Sequence, residues 1–330
     1  MKLLTTFLLV FIQIGLLAQL EENQQKKCYG SNKTIPGKPS VVNECQKIAG
    51  IVDCADDLSL DEDSKLIFKN KELKPFSGTC QSCHWNGKLD RKINFVNGKE
   101  NGMDSTFYAS GCLQVVRNHI NGIETGRWVY FFDSTSNIAW EMNYQNGRKH
   151  GQQIYFNKKG DTTRLEHYID GILDGDKVIY GSTGKIEKKS TYKKGLLDGP
   201  FMVYNLSGQL VQESNFVGGK KNGKLTYYYS DGVLLANEHW VLDKKSGEFI
   251  AYFHDGKVQQ KTAYLNGELN GWSEEFWVEG LMKRSAKYQN GVLIEEHKYN
   301  EQGIETYSFG QPSKKVSEDD ALPTKGKKRN

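Results

Sequence analysis

Glycine recurs along this chain with a fixed period, and a fixed period leaves few architectures open. Gly78, Gly102, Gly126, Gly151, Gly175, Gly199, Gly223, Gly247 and Gly271 stand 24 residues apart, except for one interval of 25. Nine residues after most of them comes a second glycine, from Gly87 and Gly111 through Gly160 to Gly280. A third precedes the next unit by four, as at Gly98, Gly122 and Gly147, with Asp243 in that slot once. The third unit lacks the second glycine and carries Asp133-Ser134-Thr135-Ser136-Asn137, where its extra residue belongs. Self-similarity at roughly 20–50 residues marks arrays built from one supersecondary unit.

The dipeptides around the glycines say what that unit is. Asn86-Gly87, Asp231-Gly232 and Asp255-Gly256 read as two-residue hairpin turns that need positive φ. Asn97-Gly98, Asn121-Gly122, Asn146-Gly147, Asn266-Gly267 and Asn290-Gly291 mark a second turn in each unit. Between turns the side chains recur as well. Five residues after the anchor glycine stand Phe107, Phe131, Phe156, Tyr180, Tyr204, Tyr228, Tyr252 and Phe276; late in the following strand stand Phe95, Tyr144, Tyr168, Tyr192, Phe216, Trp240, Tyr264 and Tyr288. With 17 Tyr, 15 Phe, 34 Gly and only 6 Pro, the composition suits strands and tight turns. An isolated two-stranded unit is marginal in water, so neighbours must stack their aromatics into one continuous core. The expected fold is all-β: an elongated, single-layer antiparallel sheet of about nine tandem β-hairpins.

Tyr228-Tyr229-Ser230-Asp231-Gly232 and Tyr264-Leu265-Asn266-Gly267-Glu268-Leu269-Asn270-Gly271 resemble the units of the bacterial variant of the MORN repeat family, over about Phe76 to Gly310. The resemblance implies a binding role; some members of that family carry antitoxin labels, and the wider family is discussed as membrane-associated.

Outside the repeats, Met1-Lys2 and the apolar run Leu3–Leu17 ending at Ala18 form a secretory signal peptide, so residues 1–18 are expected to be removed and the mature chain exported. A retained membrane anchor is the alternative, for which the run is short. Residues 19–75 are a cysteine-containing N-terminal cap segment without a period, 76–310 the repeat domain, and 311–330 a polar tail expected to be disordered. The acidic stretch Asp56, Asp57, Asp61, Glu62 and Asp63 lacks the spacing of a calcium loop and reads as solvated surface. Net charge is +4, with both signs mixed throughout, so nucleic acid is not an expected partner.

All six cysteines (Cys28, Cys45, Cys54, Cys80, Cys83 and Cys112) lie in the first third of the chain. An even count in an exported chain points to disulfides. If all pair, at least one bond ties the cap segment to the first repeats. Residues i and i+3 of a regular strand project to opposite faces, so Cys80 and Cys83 should pair elsewhere, one of them with Cys112. Cys80-Gln81-Ser82-Cys83-His84 also matches the C-x-x-C-H attachment of c-type haem, and Cys80, Cys83, Cys112 with His84 or His119 could hold zinc. His119 fills a late-strand aromatic slot, where packing is its default role. No nucleophile with a base, and no phosphate loop, stands out, so catalysis is not expected. The function expected is a secreted or periplasmic scaffold for protein–protein interaction, with membrane-surface or envelope polysaccharide binding and a haem or redox role as alternatives. The aromatics outside the repeating slots, Trp85, Tyr108, Phe132, Tyr229, Phe253 and Trp277, are the candidate binding surface.

Overall fold

The computed structural model describes residue 45, residues 50–133 and residues 137–310. The expected signal peptide, Cys28 and the expected tail lie outside the described residues. Among these residues are 28 strands and no helix, so the all-β hairpin array expected from the period is what forms. They divide into two compact units at Gly208 and Gln209, each an open, mostly antiparallel sheet.

In the first unit the hairpins run from Gly78–Cys83 and Leu89–Val96 to Leu196–Tyr204, each strand antiparallel to its neighbours in sequence. The cap segment contributes one parallel strand, Ile51–Asp53, which aligns Val52 with Cys80 of the first repeat. It also adds a small antiparallel pair, Leu58–Leu60 with Ile67–Lys69. That pair seats against the Asn97-Gly98 turn: Ile67 N donates to Gly98 O at 2.9 Å. A Cβ on Gly98 would come within 2.9 Å of the Ile67 carbonyl, so the close approach needs glycine. In the second unit, Leu210–Val217 to Glu305–Phe309 repeat the same antiparallel order.

The two turns of each unit differ in kind. At the second turn both central residues have positive φ, as in Asn97 (50°) and Gly98 (75°), the requirement of a two-residue type I′ loop. The first turn corrects the expectation from Asn86-Gly87. Only Gly87 has positive φ; Gly87 N donates to His84 O and His84 N to Lys88 O. This is a three-residue loop closed by a glycine bulge, and the strand register shifts beside it between Ser82 and Cys83. Asn86 instead accepts the Lys88 N–H on its side chain, stabilising the turn from outside the αL region.

Consecutive units are joined by backbone at the second turn. Gly122 N donates to Glu100 O, Gly171 N to Lys149 O and Gly195 N to Leu173 O; Asp243, Gly267 and Gly291 do the same in the second unit. A side chain from the residue before the anchor glycine adds to this. Asn101 Oδ1 accepts from Asn121 N, Asp174 Oδ2 from Lys194 N and Asn270 Oδ1 from Asn290 N.

The core is drier at the start than a uniform aromatic stack would be. Phe107, Leu113, Val116, Val129 and Phe131 form one buried cluster, and Phe76, Cys80, Ile93 and Phe95 another, under Val52, Cys54, Leu58 and Ile67 of the cap. From Phe156 onward the anchor aromatics are only half-buried. The most buried side chains from Gln153 onward include polar ones: Gln153, Glu166, Ser190, Thr262 and Ser273. Four of them are satisfied locally. Gln153 Nε2 donates to Asn143 O at 3.1 Å, Thr262 and Ser273 share a hydroxyl bond at 3.0 Å, and Glu166 accepts from Tyr168 and pairs with Lys177 at 3.0 Å. Burial pushes the Glu166 carboxyl up, but Lys177, Arg164 and Tyr168 together hold it below its ordinary value.

The most deeply enclosed charge is Asp104, 0% exposed, between Arg91 at 2.9 Å and Arg117 at 3.0 Å, with Arg91 also reaching Glu100 at 2.8 Å. Replacing Asp104 with Ala strands two guanidinium groups and should destabilise the first unit by about 3–5 kcal/mol, read as a lower urea midpoint there. Recovery by Asp104→Asn to near the native midpoint would show that charge pairing is not what matters. Tyr144 and Tyr168 are pushed up to about 12, first by burial and then by Glu124 and Glu166 respectively. These phenols should ionise last in an ultraviolet titration. Because only the unfolded chain ionises them near pH 10, their stabilisation is complete below that pH and is lost as pH rises toward 12.

Candidate functional site

Cys45 bonds Cys83 and Cys54 bonds Cys80, across 38 and 26 residues. As expected, the two cysteines of the C-x-x-C-H pentapeptide pair elsewhere, and both bonds tie the cap segment to the first repeat. The partner expected in Cys112 is corrected: it is buried, and it has no disulfide partner among the described residues. The parallel strand Ile51–Asp53 delivers Cys54 to Cys80, whereas Cys112 sits beyond the glycine bulge of the next hairpin. With both sulfurs engaged, Cys80 and Cys83 offer no thiol for thioether bonds or for zinc. Among the described residues, no three His, Cys, Asp or Glu side chains group as metal ligands. Two disulfides belong with an oxidising compartment.

The two histidines of that reading do other things. His84 Nε2 donates to the Phe107 carbonyl at 2.9 Å, in the neighbouring hairpin. His119 is buried against Trp128, ring centroids 5.7 Å apart, with Glu100 at 3.3 Å. The same role as His84 explains two of the surface aromatics. Tyr108 OH donates to Phe131 O at 2.7 Å and Tyr229 OH to Tyr252 O at 3.0 Å, so where the slot six residues past the anchor glycine holds His84, Tyr108 or Tyr229 it clamps one hairpin to the next. Tyr108, Phe132, Tyr229, Phe253 and Trp277 are accordingly half-buried, and Trp85, at 92% exposed, is the freely standing member of the six.

Two surfaces remain that the sequence had not singled out. The first is the two-residue-turn edge. Residues flanking those turns are exposed and apolar: Ile120, Ile123, Ile169, Ile172 and Leu196 in the first unit, Val217, Val241, Leu265 and Val292 in the second. They alternate with the late-strand aromatics and so lie on the opposite face. Ile123 rests over the next turn at Gly147 and Ile172 over that at Gly195, while Lys99, Arg148 and Lys244 take the same position over Gly122, Gly171 and Gly267, so apolar and basic side chains alternate there. Lys99, Arg148, Lys193, Lys220 and Lys244 are interleaved with them. The second is an open cleft of about 770 Å³ in the first unit, lined by Tyr130, Trp140, Tyr155, Tyr180, Phe132 and Arg164 among others.

No family model and no curated protein sequence matches the chain. Solved structures with some likeness to it include chains of toxin assemblies. One is the Photorhabdus luminescens Tc holotoxin pore, at 10% identity over 67% of this chain and 15% of that one, TM-score 0.17. Others are a TcdB2-TccC3-TEV chain and a TcdB2-TccC3-Cdc42 chain, each at 12% identity over 74% and 71% of this chain and 13% of theirs, both with TM-score 0.17. This chain therefore spans about one seventh of their length, and superpositions so loose carry no functional argument.

Closing a 26-residue loop in the unfolded chain is worth about 3–4 kcal/mol in the loop-entropy model. Reduction should therefore raise amide exchange in strands Gly78–Cys83 and Leu89–Val96 and leave Gly223–Tyr228 to Tyr252 protected. Equal loss of protection in the second unit would show that the bonds do more than pin the cap.

Proposed function

We propose that this chain is an exported, non-catalytic repeat scaffold that binds a protein partner along the two-residue-turn edge of its sheet. The observation that carries this is the set of exposed Ile, Leu and Val side chains at the two-residue turns of each unit. Exposed apolar side chains gathered on one edge and rimmed by polar ones mark interaction sites. The turns beneath them are fixed by backbone hydrogen bonds, which lowers the ordering cost on binding. The signal-like N-terminus and the two disulfides support export, and the resemblance to MORN-variant repeats supports a binding role. The antitoxin label of some such proteins is set aside, since export would part this chain from a cytoplasmic toxin.

A second reading is favoured by the interleaved Lys99, Arg148, Lys193, Lys220 and Lys244: apolar side chains among basic ones suit an anionic lipid surface. One experiment separates the two. The full chain is expressed with a photo-crosslinker at Ile123, and an intact mass starting at Gln19 checks export. A discrete protein adduct, lost with Ile172→Asp at unchanged melting temperature, is the expected result. Absence of protein adducts, together with salt-sensitive sedimentation on anionic vesicles, would replace this reading with the lipid one.

A further inference from the structure

The cleft of the first unit lies on a row of side chains that can be followed strand by strand through the register. It runs Ser82, Arg91, Thr106, Val115, Tyr130, Trp140, Tyr155, Arg164, Ile179, Lys188 and Val203. The corresponding row of the second unit is Gln212, Tyr227, Ala236, Ala251, Gln260, Glu275 and Arg284. Three consecutive aromatics followed by an arginine occur at one place in these rows. They interlock: Tyr130 and Trp140 meet edge-on at 4.6 Å, Trp140 and Tyr155 at 6.2 Å, and the Arg164 guanidinium lies 3.8 Å above the Tyr155 ring. Trp140 keeps 36% of its surface open.

Arg164 is the single charged residue lining the cleft. Its side chain is 39% exposed, but its Nε–H is buried and makes no hydrogen bond. Glu166 pairs with that nitrogen at 3.5 Å and is also held by Lys177 and Tyr168. Stacking on Tyr155 fixes the plane of the guanidinium, and Arg164 with Lys177 outnumbers the one carboxylate of Glu166, leaving net positive charge beside the cleft for an incoming anion. A quaternary ammonium would meet this cation and be repelled.

Every strand under the row is paired on both sides, so no backbone edge is free for an added peptide strand. A ligand here is held by side chains alone. Neighbouring strands are spaced about 4.8 Å apart, so the aromatics repeat along the row at about the length of one sugar ring in a chain. We propose that Tyr130, Trp140, Tyr155 and Arg164 form a binding site for an acidic polysaccharide, its pyranose rings against the aromatic side chains and a uronate carboxylate on the Arg164 fork. Hydroxyls facing away from the cleft remain hydrated, so few protein polar partners are required. This site is separate from the turn edge assigned to the protein partner.

The test titrates the full mature chain with oligogalacturonate and with neutral cello-oligosaccharide of equal length, following tryptophan fluorescence and heat. The acidic oligosaccharide should bind and the neutral one should bind at least tenfold more weakly. Trp140→Ala and Arg164→Gln should each weaken uronate binding tenfold or more, Arg164→Lys less, and Ile172→Asp not at all. Because Arg164 is partly exposed, Arg164→Gln keeps the test valid if Trp140→Ala fails to fold. Absence of uronate binding, equal binding of the neutral chain, or native affinity in Arg164→Gln would overturn the proposal. So would capture in this cleft of an acidic, aromatic peptide that the oligosaccharide cannot displace.

Discussion

Within each unit the second residue of a two-residue turn points its N–H back to a carbonyl of the preceding hairpin, as Gly122 does to Glu100 and Gly267 to Lys245. The bond exists only because the turn has positive φ at both central positions, which aims that N–H out of its own hairpin. It is a backbone bond, so it sets the spacing between units independently of what side chains they carry. Asp243 shows this: with φ 70° it takes the glycine slot and still donates to Lys221 O. The strain of an aspartate there, of order 1 kcal/mol, is tolerated where the register is already fixed on both sides.

Registry held by backbone explains the polar centre of the sheet. A core that relied on aromatic packing for its alignment could not place Gln153, Ser190 and Thr262 among its most buried side chains. Here the strands are already in place, and a buried amide or hydroxyl needs only a nearby partner, such as Asn143 O for Gln153 or the Ser273 hydroxyl for Thr262. Greater apolar burial is concentrated where a cap is present. Phe76, Cys80, Ile93 and Phe95 lie under cap residues that the two disulfides hold down, which closes an edge that would otherwise offer unpaired strand groups.

The fold was legible because the glycine period is a statement about backbone, and backbone is what aligns these hairpins. Less legible was anything set by the third dimension of the turns. Asn86-Gly87 and Asn97-Gly98 are the same dipeptide, yet one closes a bulged three-residue loop and the other a type I′ turn; the choice follows from strand pairing, not from the pair itself. Likewise Tyr108 and Tyr229 fall outside the repeating core slots and look like surface, but their hydroxyls reach the next hairpin. The alternation of Ile120 and Ile123 about a turn was available in the sequence. Its consequence, that Ile123 lies over the turn at Gly147 and Ile172 over that at Gly195, needs the stacking of turns to be known.

A scaffold aligned through its backbone can change side chains locally without losing register, and this is the condition under which a site can be placed on a repeat. Tyr130, Trp140 and Tyr155 occupy row positions that hold Thr106 and Val115 one hairpin earlier and Ile179 and Lys188 one hairpin later. The strands on either side keep their pairing across this change. Three large rings in adjacent positions cannot all lie flat, so they meet edge to face and leave a cleft above them. The guanidinium of Arg164 then sits on the last ring and shares the Glu166 carboxylate with Lys177. A regular repeat would have distributed such groups evenly; their concentration over two hairpins is what sets this part of the first unit apart.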